Sequence, residues 1–431
     1  MGRRARLYAG VASGLITAMA AVQPGLAQEA VPAGDNAIEL APVTLSGAAG
    51  KVPATKAASV LTHRVTRPEI DAAQIEDPDD IGRLDPAVGY SESSKSFNIR
   101  GLDRARVLTT VDGIRIPWIE DGARGLTGGV SGFDFDTLSQ LDIVKGSDSS
   151  LFGSGALGGV IALRTINPED LLANGKVFGG LSKGSIDTKD GSWGVEQALA
   201  ARIDQTFFLV QGGTREGNEI ENQGDVGGFG ALRTEKNPLD FDQNNVLAKV
   251  RQHVEGGHVF GLTAESFDRD DDMESRTSSA ATYRPGSAMQ DESNARKRVS
   301  ASYEYDPGNT DGLIDAAEAV VYWQRQELDS DFTATRLTTP SGAYRRLTER
   351  EEETFGVNGS LLSEIALGGL THGITIGGEL FGSEASSASS GEDSCPAPPY
   401  TGRFYNCNFL HTNQSDMPDV DGTTLGLFLQ D

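Results

Sequence analysis

"LDIVKGSDSSLFGSGALGGVIALRT", residues 141–165, contains a literal G-x-G-x-x-G at Gly153, Gly155 and Gly158, directly after a strand-like apolar run. A dinucleotide fingerprint needs a helix after its glycines, because the free N–H groups and positive dipole end of that helix hold the pyrophosphate. Here the glycines run straight into "GVIALRT", which is β-branched and reads as a strand. Glu169 and Asp170 lie near the distance expected for the ribose-binding acid, but they sit in "NPEDLL" behind Pro168. The glycines are therefore assigned a conformational job, in turns with positive φ and in close backbone packing. The five histidines are scattered, with no H-E-x-x-H, and no G-x-S-x-G occurs. No enzymatic constellation is left.

The bulk composition narrows the class. Hydrophobic residues are 38% of the 431, glycine occurs 53 times and the formal net charge is -25. Nucleic acid is excluded as a partner, since its phosphates need a basic stripe. The balance fits a soluble acidic protein, or a membrane barrel in which only every second residue of a strand meets lipid.

Arg3, Arg4 and Arg6, the apolar run Leu7–Val22 and the small residues up to Ala27 have the order of a cleaved secretory signal, residues 1–27. The run is too short and too broken to anchor a chain, which takes about 20 apolar residues. No later segment is a spanning-helix candidate, so a membrane is entered by strands or not at all. Residues 28–54 are Ala/Pro/Gly-rich and read as a flexible tail; within it "IELAPVTLSG" (38–47) has the β-prone Val43, Thr44 and Leu45 behind Pro42 and can add to a partner's sheet edge. Residues 55–170 read as a small α+β domain, with a helix opened by Pro68 and strands in "SFNIRG", "ARVLTTVDGIRIP", "LDIVKG" and "GGVIALRT".

From 175 to 431 the texture is period-two alternation. Val299, Ala301, Tyr303 and Tyr305 share one face against Ser300, Ser302 and Glu304, and Leu425, Leu427 and Leu429 repeat the pattern near residue 431. Short connections near 202, 254, 306 and 366 take turns with long polar ones near 217–242, 269–293, 328–347 and 384–421. An up-and-down membrane barrel with short inner turns and long outer loops does this. About ten strands are expected. Cys395 and Cys407, the two cysteines of the chain, fall in the fifth outer loop. In an exported protein they are expected to form a disulfide, two free thiols being the alternative; zinc is not expected, with His411 the only soft ligand close by.

"FNIRGLDRARVLTTVDGIRIP" (97–117) together with the opening stretch resembles the plug domain of TonB-dependent outer-membrane receptors. The resemblance implies an α+β plug followed by an antiparallel transmembrane β-barrel. It makes residues 38–47 a TonB box, carried by Ile38, Leu40, Pro42, Val43, Thr44 and Leu45, which pairs with TonB and through it with the inner-membrane energising complex. It makes Arg100 and Lys145 plug charges that lock onto barrel glutamates, and Gly101, Asp112, Gly113 and Gly146 turn formers beside the glycines already named. Trp118, Glu120 and Arg124 in "PWIEDGARG" become candidates for the ligand-facing apex.

The texture around 149–172 is most similar to the haem and haemoglobin receptor branch. Haem or another ferric chelate then enters as transported ligand, with no prosthetic group and with outer-membrane lipid as surroundings; a ferric-siderophore or other nutrient receptor is the alternative. No haem-ligating residue is assigned: after His63 the plug has no histidine, and the metal ligands stay open. A plugged barrel of this kind has 22 strands, so about ten leave it incomplete. The chain is read as an N-terminal fragment, with a truncated, non-transporting receptor or a surface-binding protein as the further alternative.

Overall fold

The computed structural model describes residues 62–91, 94–121, 125–146, 155–308, 312–410 and 418–431. The signal sequence, the tail with residues 38–47, Arg124, Gly153 and His411 lie outside the described residues.

The small domain carries ten strands: β1 (Thr62–Thr66), β2 (Val88–Ser91), β3 (Ser96–Ile99), β4 (Leu102–Asp103), β5 (Val107–Val111), β6 (Ile114–Arg115), β7 (Trp118–Asp121), β8 (Gly125–Gly128), β9 (Leu138–Lys145) and β10 (Gly159–Thr165). Helix α1 (Arg67–Ala73) opens as expected with Pro68 in its first turn, and Glu69 accepts the Thr66 N–H at 2.8 Å. The main sheet has the order β1-β9-β10-β5-β6, with β10 parallel to β5 and antiparallel to β9. Val65, Ile70, Ile81, Phe97, Val111, Phe135, Leu141, Ile143 and Ile161 form its core. The opening glycines lead into β10 rather than a helix, which is the geometry the strand-like "GVIALRT" demands. The short helix α2 (Pro168–Leu171) leads the chain out of the domain.

A second sheet comes next, of ten antiparallel strands in sequential order: β11 (Phe178–Asp187), β12 (Ser192–Ile203), β13 (Thr206–Asn218), β14 (Leu239–Val254), β15 (His258–Glu274), β16 (Met289–Tyr305), β17 (Ala316–Arg336), β18 (Gly342–Leu367), β19 (Leu370–Glu392) and β20 (Val420–Gln430). This is the expected meander and the expected count, with β11 and β20 as its edges. One face of each of β11–β19 meets the small domain. On β14, Gln243, Asn245, Lys249 and Arg251 all hydrogen-bond to it, while Val246 and Val250 between them point away and are 51% and 37% exposed. Leu262, Val299, Val321, Phe355, Leu380 and Leu427 continue that outward apolar band. No described helix is long and apolar enough to cross a membrane.

The fourth outer loop corrects the expectation. The sequence pattern predicts a long connection near 328–347, yet β17 runs to Arg336 and β18 starts at Gly342. The strands of 21, 26 and 23 residues in β17–β19, at about 3.3 Å per residue, far exceed an apolar band about 25 Å tall. Above that band both faces of a strand meet water, so alternation fades while pairing continues. The sequence "ELDSDFTATR" reads as loop for that reason. The fifth outer loop does hold the cysteine pair, and Cys395–Cys407 is a disulfide with Cα atoms 5.9 Å apart.

Candidate functional site: the seam between the small domain and the wall

The residues that matter most are those by which the small domain is held inside the sheet. At the β5–β6 hairpin, Asp112 (φ 49°) and Gly113 (φ 80°) both adopt positive φ, as a two-residue type I′ turn requires. The turn pushes the Asp112 carboxylate into the wall. Its Oδ1 accepts Thr165 N–H at 2.9 Å and its Oδ2 accepts the Thr165 hydroxyl at 2.7 Å. The Arg298 guanidinium of β16 donates to Oδ2 at 2.8 Å and to the Val111 carbonyl at 2.7 Å, and Lys249 Nζ of β14 stands 3.6 Å away. Glu265 of β15 pairs with Arg298 and Arg296, and Arg296 Nε donates to the Gly132 carbonyl at 2.6 Å. Burial opposes the Asp112 charge, but Lys249, Arg298 and the Thr165 hydrogen bonds outweigh it and hold the carboxyl well below its usual range.

Three more contacts space the seam around the wall. Arg115 Nη2 of β6 reaches Glu379 of β19 at 3.1 Å, its carbonyl accepts Gln324 Nε2 of β17 at 2.7 Å, and Asn358 of β18 donates to the Gly113 carbonyl at 3.1 Å. Glu169 of α2 accepts Arg251 Nε at 2.8 Å and lies 2.7 Å from His253 Nε2. Burial works against the Glu169 charge, yet the His253 hydrogen bond and the Arg251 charge bring its pKa down to about 2. Asp77 accepts Arg215 Nη1 of β13 at 2.9 Å and Lys189 Nζ at 3.2 Å, and Asp79 shares that ammonium.

The sequence-derived lock residues are placed differently. Lys145 does not reach the wall: its ammonium lies 2.8 Å from Asp85 of its own domain. Arg100 is an exposed turn residue at φ 51°, succeeded by Gly101 at φ 87°. No described wall carboxylate pairs with either. Both sit at the ends of strands whose neighbours are other strands of the small domain. Asp112, expected as a turn former only, is both turn and lock.

Gly155, at φ 92°, is where a Cβ would meet Arg115 Nη1 at 2.9 Å, and a Cβ on Gly159 (φ 150°) would overlap the Val144 carbonyl. Gly146 N–H donates to the Gly158 carbonyl at 3.2 Å, which closes the loop between β9 and β10. Trp118 and Glu120 lie on β7, which packs beside β18. Asp112 and Arg115 carry one sequence signal, a charge at an apolar strand end, whereas Glu169 lies on α2 and carries none. Asp134, buried at a 3₁₀ turn, carries none.

These features define a polar, ion-paired domain seated against a membrane-type strand wall, the architecture of a TonB-dependent receptor. Residues 54–160 match the TonB-dependent Receptor Plug Domain, so the small domain is a plug of that kind. Transferrin-binding protein A of Neisseria meningitidis serogroup B is 32% identical over 187 residues, 41% of this chain and 20% of that protein. The Hemin receptor of Yersinia enterocolitica is 27% identical over 271 residues, 61% of this chain and 36% of that protein. The chain thus spans about a fifth to a third of the length of these relatives. The Serratia marcescens hemophore receptor HasR, solved with its hemophore HasA and heme, shares the fold at TM-score 0.56 and 20% identity, over 77% of this chain and 46% of that one.

Proposed function

We propose that this chain forms the plug and part of the barrel of an outer-membrane transporter for haem or haemoprotein-derived iron. It is exported with loss of residues 1–27 and energised by TonB through residues 38–47. The polar seam supports the transport half of this reading. A plug held by ion pairs and hydrogen bonds exchanges its contacts for water when pulled, whereas a dry apolar contact loses about 25 cal/mol per Å².

The observation that carries the cargo is a patch on the inward face above the plug. Tyr283, Phe332 and Tyr344 form a ring cluster with centroids 5.1–6.1 Å apart, and Arg336 lies 6.0 Å over Tyr344. Tyr283 bridges to Arg336, and Phe332 stands opposite Arg346 in register. Phe332 and Arg336 have the parity of Gln324, which touches the plug, and Tyr344 and Arg346 share that face in register, while Asp329 and Asp331 take the other parity. Aromatic faces with guanidinium groups suit a flat aromatic ligand bearing carboxylates. Haem has that chemistry.

The test is growth of an iron-starved host on haemin as sole iron source. Tyr344→Ala and Arg336→Ala are expected to weaken haemin binding and slow growth while leaving outer-membrane levels unchanged. Growth on an aromatic ferric siderophore but not on haemin assigns the patch to that cargo and overturns the haem reading.

A further inference from the structure

Four carboxyls meet one ammonium where the turn Phe135–Thr137 touches β11–β14. Asp134 opens that turn: its Oδ1 accepts Asp136 N–H at 2.8 Å, and its Oδ2 accepts Gln243 Nε2 at 3.0 Å and Asn245 Nδ2 at 2.6 Å. The same Asn245 nitrogen lies 3.1 Å from Oε2 of Glu196 on β12. A single amide nitrogen therefore touches one carboxyl of the plug and one of the wall. The two residues are 7% and 4% exposed.

The neighbouring cations are all engaged elsewhere. Lys183, opposite Glu196 in the β11–β12 register, gives its ammonium to Asp136 at 2.5 Å and Glu76 at 3.1 Å. Arg215 of β13 serves Asp77 and Asp190, Lys249 of β14 serves Asn167 and the Thr165 carbonyl, and Arg269 of β15 reaches Asp271 and Gln243 Oε1. Among the described residues no cation pairs with Asp134 or Glu196.

Buried acceptors at the same place lack donors. Glu196 Oε1, Gln211 Oε1 and Asn245 Oδ1 are all buried acceptors without a donor. Two buried carboxylates this close do not both ionise at low cost. A single proton held between the pair removes one of the two charges.

We propose that Asp134 and Glu196 form a one-proton site across the plug–barrel seam: the seated plug holds one shared proton, and withdrawal of the plug, by parting the carboxyls, releases it to water. The release step rests on the transport reading above; the site itself does not. Burial, then the Asp136 carboxylate, pushes the Asp134 carboxyl up from its ordinary value. With the sign worked out, a raised carboxyl favours the seated plug at low pH, and that contribution fades as pH rises through the raised value.

The test uses the receptor in native outer-membrane vesicles. Difference infrared spectra are expected to show a protonated-carboxyl C=O band at neutral pH that vanishes in Glu196→Gln. Protease access to the plug is expected to rise with pH, by at most about tenfold per unit for one linked proton, and Glu196→Gln is expected to flatten that dependence. A missing band, an unchanged slope in Glu196→Gln, or protection that tracks metal ions rather than pH overturns the one-proton site. A band that disappears on substitution, in a plug whose protease access ignores TonB energisation, keeps the site and sinks the moving-plug reading instead.

Discussion

Gly155 makes room for Arg115. A Cβ at residue 155 would stand 2.9 Å from the Arg115 Nη1, and the same guanidinium reaches Glu379 across the seam at 3.1 Å. Gly155→Ala also forces a non-glycine residue to φ 92°, so a loss of about 1–3 kcal/mol in plug seating is expected. Limited proteolysis of plug loops in outer membranes measures it. Unchanged protection would show that the guanidinium shifts without cost.

Asp112 and Arg298 pair across the seam, and the Arg298 side chain is fully buried. Arg298→Met leaves Asp112 with only Lys249 at 3.6 Å and Glu265 with only Arg296, and a loss of about 3–5 kcal/mol is expected. Adding Asp112→Asn should return part of it, because the under-paired charge goes. Urea titration of the single and double variants reads the coupling; strict additivity would disprove it.

Acid should release the grip at Glu169. Its pKa is lowered to about 2, against about 4.3 when unfolded. The stability it contributes is present in full above the unfolded value and is lost as pH falls through about 2. Glu169→Gln should therefore weaken the plug at neutral pH and show little further loss in acid. Thermal unfolding from pH 7 to pH 2 checks this against the wild-type curve.

Cys395 and Cys407 close a loop of 12 residues in sequence separation. By the chain-entropy model a loop of this size gains about 3 kcal/mol from closure. Reduction, or the Cys395→Ser/Cys407→Ser pair, is expected to raise proteolytic nicking between 393 and 419 while leaving the wall intact. A global loss of barrel stability would show that the loop props the strands.

The wall is readable from residues alone because alternation tracks a physical boundary. Val299, Ala301 and Tyr303 against Ser300 and Ser302 mark lipid against lumen, and the strand count comes from that marking. Where both faces are wet, as along Glu327–Arg336, the pattern has nothing to record and the strand looks like loop. The β10 assignment rests on the β-branched residues immediately after the glycines, a local property. The seam is not legible: Asp112, Arg115, Asp134 and Glu169 find their wall partners 82 to 264 positions away, and one sequence does not record such pairings. Lys145 and Arg100 show the converse. A motif position gives a residue type, whereas the partner depends on where the strand end points.

The plug sheet is mechanically lopsided. β1 is the first described element after the tail and lies at the sheet edge, zipped only to β9 over five residue pairs from Thr62↔Val144 to Thr66↔Gln140. Its side-chain rivet is a forked Arg64–Asp142 contact, at 2.8 and 3.1 Å. Tension entering ahead of Thr62 meets this narrow strip before it meets any of the wall contacts at Asp112, Arg115 or Glu169. Under the transport reading proposed above, the strip would act as a fuse: the force that peels five residues, rather than the summed strength of the seam, would set the threshold at which the interior begins to yield.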